Sequence, residues 1–104
     1  MYRVLSVDDD PHFLNATRLY LEEFGFKIDI ANSAAEALGL LATHVYHTII
    51  SDYQMPDMDG ISLLKEIRKI DTITPFIFFT GTDTNEIIIE ALENGAEFYL
   101  LKGI

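Results

Sequence analysis

Apolar positions fall into five short runs, and the stretches between them repeat at helical spacing. Val4 to Val7 is the first run, ended by three consecutive acids, and it suits a strand buried on both faces. From Pro11 onward, Phe13, Leu14, Thr17, Tyr20, Leu21 and Phe24 mark one side of a helix. Pro11 suits its first turn, and Gly25 stands where a left-handed cap would end it. Phe26 to Ala31 sets Phe26, Ile28 and Ile30 against Lys27 and Asp29, the pattern of an edge strand with one wet face. Ser33-Ala34-Ala35-Glu36 has capping-box form and opens a helix with Ala37, Leu38 and Leu41 inward. Tyr46 to Ser51 predicts a third strand, followed by Asp52 and a loop containing Pro56, Asp57, Asp59 and Gly60. Ile61 to Ile70 is the next helix, and Pro75 to Thr80 a fourth strand. Asn85 to Glu93 is a helix closed by Asn94-Gly95, and Phe98 to Leu101 is the fifth strand, with Lys102 at its end. Ile87, Ile88 and Ile89 cannot share one helix face, so one of them must meet solvent or a partner.

Five strands alternating with four helices imply an α/β fold with a parallel sheet, because each parallel return needs a crossover. The wet second strand belongs at an edge and the apolar first, third and fourth inside, which selects the doubly wound, flavodoxin-like order 2-1-3-4-5. Right-handed crossovers then place the first helix alone on one face and the other three opposite. No helix is predicted after the fifth strand, so the first face should be bare under strands three to five. Either these 104 residues begin a longer chain, or a partner, most simply a second copy, covers that surface.

Size and composition narrow the class. A chain of 104 residues, 49% hydrophobic, suits one small folded domain. Seven Lys and Arg against 17 Asp and Glu leave a net charge of -10, which repels nucleic-acid backbones and anionic lipid surfaces. With no cysteine there are no disulfides, thiolate metal sites or thiol nucleophiles, which fits a cytoplasmic protein. No run approaches the roughly 20 apolar residues of a membrane helix.

The charge matters more once the acids are placed. Ligands of such sheets bind beyond the carboxyl ends of the strands, where strand order reverses. Asp8, Asp9 and Asp10 follow strand one and Asp52 follows strand three, so separate segments bring carboxylates to one crevice. An acidic triplet alone is ordinarily a solvated helix cap; Asp52 opposite it changes that reading. Clustered carboxylates need a cation, and oxygen donors suit Mg2+ or Mn2+. Thr80 and Lys102 end strands four and five at the same edge, adding a hydroxyl and an ammonium. Phosphoryl transfer requires an in-line acceptor, a metal and fixed donors, and these residues supply each. His12, His44 and His47 lack metal spacing with the acids and read as surface or packing residues.

The segments VDDDP, SDYQMPDMDG, FFTG and YLLK, in this order at strand ends across the whole chain, resemble the receiver domain of two-component response regulators. The resemblance implies that Asp52 is the phosphoacceptor, served by a phosphohistidine on a sensor histidine kinase or a histidine phosphotransfer protein. It implies Mg2+ held by Asp9 directly, by Asp8 mainly through water, by Asp52, and by the backbone carbonyl of Gln54. Thr80 resembles the switch hydroxyl, Tyr99 the aromatic rotamer switch and Lys102 the conserved-type lysine, whereas Asp10 matches only a cap. A signalling domain is implied, with at most self-catalysed phosphorylation and dephosphorylation. Two departures stand out: the family usually has proline after the lysine, where this chain has Gly103, and it usually ends in a fifth helix.

Three alternatives are weaker. A haloacid dehalogenase-type phosphatase needs Asp-x-Asp-x-Thr or Val after strand one, but His12 takes the last place and no cap domain fits. A flavin carrier would set its phosphate against an acidic loop. A degenerate receiver used only for docking would not need the acids, Thr80 and Lys102 together.

Overall fold

The computed structural model describes residues 1–103. The chain alternates β1 (Arg3–Val7), α1 (Pro11–Glu22), β2 (Lys27–Ala31), α2 (Ala34–Leu41), β3 (Thr48–Ser51), α3 (Gly60–Arg68), β4 (Phe76–Thr80), α4 (Asn85–Glu93) and β5 (Phe98–Leu101). All strand pairs are parallel, in the order β2-β1-β3-β4-β5, as the hydrophobic pattern requires. Among the described residues no helix follows β5.

Helix ends are set by local chemistry. Asp10 accepts hydrogen bonds from the His12 and Phe13 N–H groups at 3.0 and 3.3 Å, and Pro11 opens α1. Ser33 caps α2 through the Glu36 N–H at 3.1 Å, and Glu36 reaches back to the Asn32 N–H. Asp59 caps α3 through the Ser62 N–H at 2.7 Å. These bonds satisfy N–H groups that a helix leaves unpaired, each contributing roughly 1 kcal/mol.

The two faces of the sheet are packed unequally. Leu5, Val7, Ile49, Phe76 and Phe78 meet Ala34, Ala37, Ile61, Leu64, Ile67 and Ala91 in one continuous core beneath α2, α3 and α4. On the opposite face α1 buries only Leu14 completely. Phe13, Thr17, Tyr20, Leu21, Ile50, Ile77, Phe79 and Leu100 line an apolar groove of about 440 Å³ beside α1, the bare surface expected from the crossovers. Ile89 is the member of its triplet that faces outward.

Several boundaries differ from the sequence pattern. Tyr46 and His47 precede β3 instead of forming its start. Tyr46 is buried by side-chain contacts, its hydroxyl donating to Asp29 at 2.6 Å, while His47 accepts from the Arg3 N–H and stacks on Tyr2. Asp29, read as part of a wet face, is therefore half-buried, with Arg3 3.4 Å away. Helix α1 ends at Glu22, and Gly25 takes φ +88°, so Phe24 lies past the helix and packs edge-on against Tyr20.

Candidate functional site

Register carries four chain segments to one rim of the sheet. Val7 pairs with Ala31 and Ser51, and the Asp52 N–H donates to the Val7 carbonyl at 2.9 Å, which sets Asp8 and Asp52 side by side. Thr80 pairs with Leu101, and the Lys102 N–H donates to the Thr80 carbonyl at 2.8 Å, which turns Lys102 toward the same rim.

Asp8, Asp9 and Asp52 each offer a carboxylate oxygen, and these oxygens lie within 4.8 Å of one another. Asp8 is only 2% exposed and Asp52 8%, whereas Asp9 is exposed. One Asp8 oxygen accepts from the Asp10 N–H at 2.9 Å and the other from Lys102 Nζ at 2.5 Å. Asp52 accepts from the Tyr53 N–H at 2.7 Å and from Lys102 Nζ at 3.2 Å. Burial pushes the Asp8 carboxyl above the ordinary carboxylate range, with the Asp52 charge adding to it, although Lys102 and the Asp10 N–H pull the other way. For Lys102, burial lowers the ammonium, but the hydrogen bond to Asp8 and the charges of Asp52 and Asp8 outweigh it and raise the net value. The cluster therefore stores negative charge that one lysine only partly offsets. Three converging carboxylates match the oxygen donors that hard divalent cations take.

Of the residues expected here, Asp8, Asp9, Asp52 and Lys102 come together. Thr80 is buried at the end of β4, and its hydroxyl accepts from the Thr82 N–H at 3.3 Å without bonding to the carboxylates. Tyr99 stacks obliquely on Phe78 and donates to the Thr82 carbonyl at 2.7 Å, tying β5 to the loop after β4. Gln54 is exposed two residues beyond Asp52, and its side chain makes no hydrogen bond among the described residues. Asp10 serves as the α1 cap.

Three contributions were not legible as site features. Gly60 packs so close to Asp52 that an added Cβ would collide with the Asp52 carbonyl and with the Phe78 ring. Asp57 accepts from the Ala34 and Ala35 N–H groups at 3.2 and 2.8 Å, fastening the loop after Asp52 to the start of α2. Phe13 lies beneath Lys102 Nζ, 4.0 Å from ring centroid to nitrogen. The aspartate-rich loop between β3 and α3 hinted at the first two. For Phe13, helical spacing signalled only an inward aromatic. Gly103 adopts φ +79°, a conformation closed to proline, so the chain leaves Lys102 along a path the usual family residue could not take.

No helix among the described residues is long and apolar enough to cross a membrane. The family profile for the response regulator receiver domain matches residues 4–104. ZraR of Escherichia coli strain K12, described as a transcriptional regulatory protein, is 34% identical over 99 residues, covering 95% of this chain and 22% of ZraR. The chain thus spans about a fifth of that relative's length. A CheY-like response regulator receiver domain protein from Methanospirillum hungatei superposes with TM-score 0.96 at 32% identity, covering 100% of this chain and 83% of the other. The response regulator protein TrrA of Thermotoga maritima, solved in complex with Mg(2+)-BeF, gives TM-score 0.90 at 30% identity, covering 100% of this chain and 89% of TrrA. With its strand order, its acidic rim and its matched length in agreement, the chain belongs to the response regulator receiver domain family.

Proposed function

We propose that Asp52 accepts a phosphoryl group from a phosphohistidine on a sensor histidine kinase or histidine phosphotransfer protein. The observation that carries this is the meeting of Asp52 with Asp8, Asp9 and Lys102 at one rim of the sheet. A carboxylate oxygen of Asp52 attacks phosphorus in line, forming the O–P bond as the donor's N–P bond breaks. Asp8, Asp9, Asp52 and the Gln54 carbonyl would hold Mg2+, or Mn2+, which supplies charge neutralisation for the phosphoryl oxygens. The donor set fits, and TrrA was solved with Mg(2+)-BeF.

Lys102 then moves its charge from the free carboxylate to the phosphoryl group, and the Thr80 hydroxyl turns to a phosphoryl oxygen. Because Thr80 and Tyr99 both bond the backbone of Thr82, a shift of either is felt in the loop leading to α4. Tyr99 follows Thr80 inward, and hydrolysis of the acyl phosphate resets the domain.

The role is signalling in the cytoplasm. This chain matches 22% of the length of ZraR, and the receiver is proposed to relay its state to an output domain. That output domain or a second copy covers the groove beside α1.

Acetyl phosphate with and without Mg2+ tests the reading on wild type and Asp52→Asn. Wild type is expected to gain one phosphoryl group only with Mg2+, and the variant none. Equal labelling of both, or labelling that ignores chelation, sinks it. A docking module lacking phosphotransfer would give no labelling at all.

A further inference from the structure

Lys102 is poorly braced by its own backbone. The chain fastens there through one N–H bond to Thr80, and Gly103 beyond it has nothing within 4 Å of where a Cβ would lie. Its ammonium lies 2.5 Å from Asp8 and 3.2 Å from Asp52. The third side is the face of Phe13, with the nitrogen 4.0 Å from the ring centroid. Phe13 is itself fixed twice. Its N–H is held by the Asp10 cap, and its ring meets Phe79 edge-on, with centroids 5.3 Å apart.

From this geometry we infer that Phe13 is a positioning residue for phosphoryl transfer, its ring face holding the Lys102 ammonium against Asp8 and Asp52. The inference rests on the proposed role of Asp52. Two carboxylates alone leave one side of the ammonium to water, and a hydrated lysine on a free chain samples many rotamers. An aromatic face attracts the cation while offering no competing hydrogen bond, so the N–H donors stay aimed at the carboxylate edge where the phosphoryl group arrives. Phe13 and Phe79 both line the groove beside α1, so whatever fills the groove touches the ring that faces Lys102.

The test replaces Phe13 by phenylalanines with one, two and three ring fluorines, which keep the shape and progressively weaken the ring's negative face. The rate constant for Mg2+-dependent labelling by acetyl phosphate is expected to fall with each fluorine, about threefold to tenfold at three. Phe13→Leu should be slow and Phe13→Trp should restore the rate. The unfolding midpoint should follow the fluorine count in the wild-type background and not in Lys102→Ala. A flat series, or the same slope with and without Lys102, overturns the inference. The contact is also read without phosphodonor, as an upfield ring-current shift of the Lys102 ε protons that Phe13→Leu abolishes. Labelling at Asp52 with a flat series removes Phe13 alone; an intact shift and fluorine-dependent midpoint without labelling remove the role of Asp52 instead.

Discussion

One strand displays both kinds of surface in this molecule. In β4, Phe76 and Phe78 point to the three-helix side and are 0% exposed, while Ile77 and Phe79, between them in sequence, stay half-open beside α1. The residues are chemically alike; what differs is the number of helices that the crossover rule assigns to each face. The closed face holds the continuous buried core. Among the described residues the open face holds one helix, a groove and, at its rim, the Phe13 contact to Lys102.

The sharpest way to break this contrast is to truncate both aromatics of β4. Phe78→Ala should cost about 3–5 kcal/mol, because it empties a closed core, and Phe79→Ala about 1 kcal/mol, because its ring is already partly in water. Urea unfolding of the two variants checks this, and equal losses would mean that the faces are energetically equivalent. Gly60→Ala comes next. The new methyl group must displace the Asp52 carbonyl or the Phe78 ring, so a loss of about 1–3 kcal/mol is expected together with slowed phosphoryl labelling. A variant with wild-type stability and labelling would show that the packed face and the site are not mechanically joined.

The smallest effect is a pH dependence at the turn that feeds β4. The Thr74 hydroxyl, with the Thr74 and Ile73 N–H groups, holds Asp71 below its ordinary value of 3.8 despite partial burial, and Arg68 adds to this. A depressed carboxyl contributes stability that is present above 3.8 and lost as pH falls through the folded value. Thermal unfolding between about pH 5 and pH 2 should therefore fall less steeply for Asp71→Asn than for wild type. An unchanged acid limb would deny that the turn contributes.

Sheet order, helix number and the acidic rim were legible because each follows from local periodicity combined with a chain-wide rule. Lys27 and Asp29 marked β2 as an edge, and this fixed β1 at the centre and Asp8 beside Asp52. Readings failed where a side chain is buried by a distant partner. Tyr46 resembled a strand residue because it is apolar, yet its burial comes from Asp29 and the core. Nor did the hydrophobic pattern show that Asp8 is buried and Asp9 exposed. Asp8 is closed in by Lys102 and the Asp10 N–H while Asp9 stays exposed, a difference made by residues distant in sequence as well as near. The Phe13–Lys102 contact spans nearly the full chain and has no local signature.

Chemical identification of the modified side chain bears most directly on the convergence of strands at Asp52. After treatment with acetyl phosphate and Mg2+, borohydride reduces an acyl phosphate on aspartate to homoserine, and peptide sequencing locates it. Homoserine at position 52, absent when the metal is chelated, is the predicted result. Homoserine at position 8 or 9, or none anywhere with the phosphoryl group on another residue, contradicts the account.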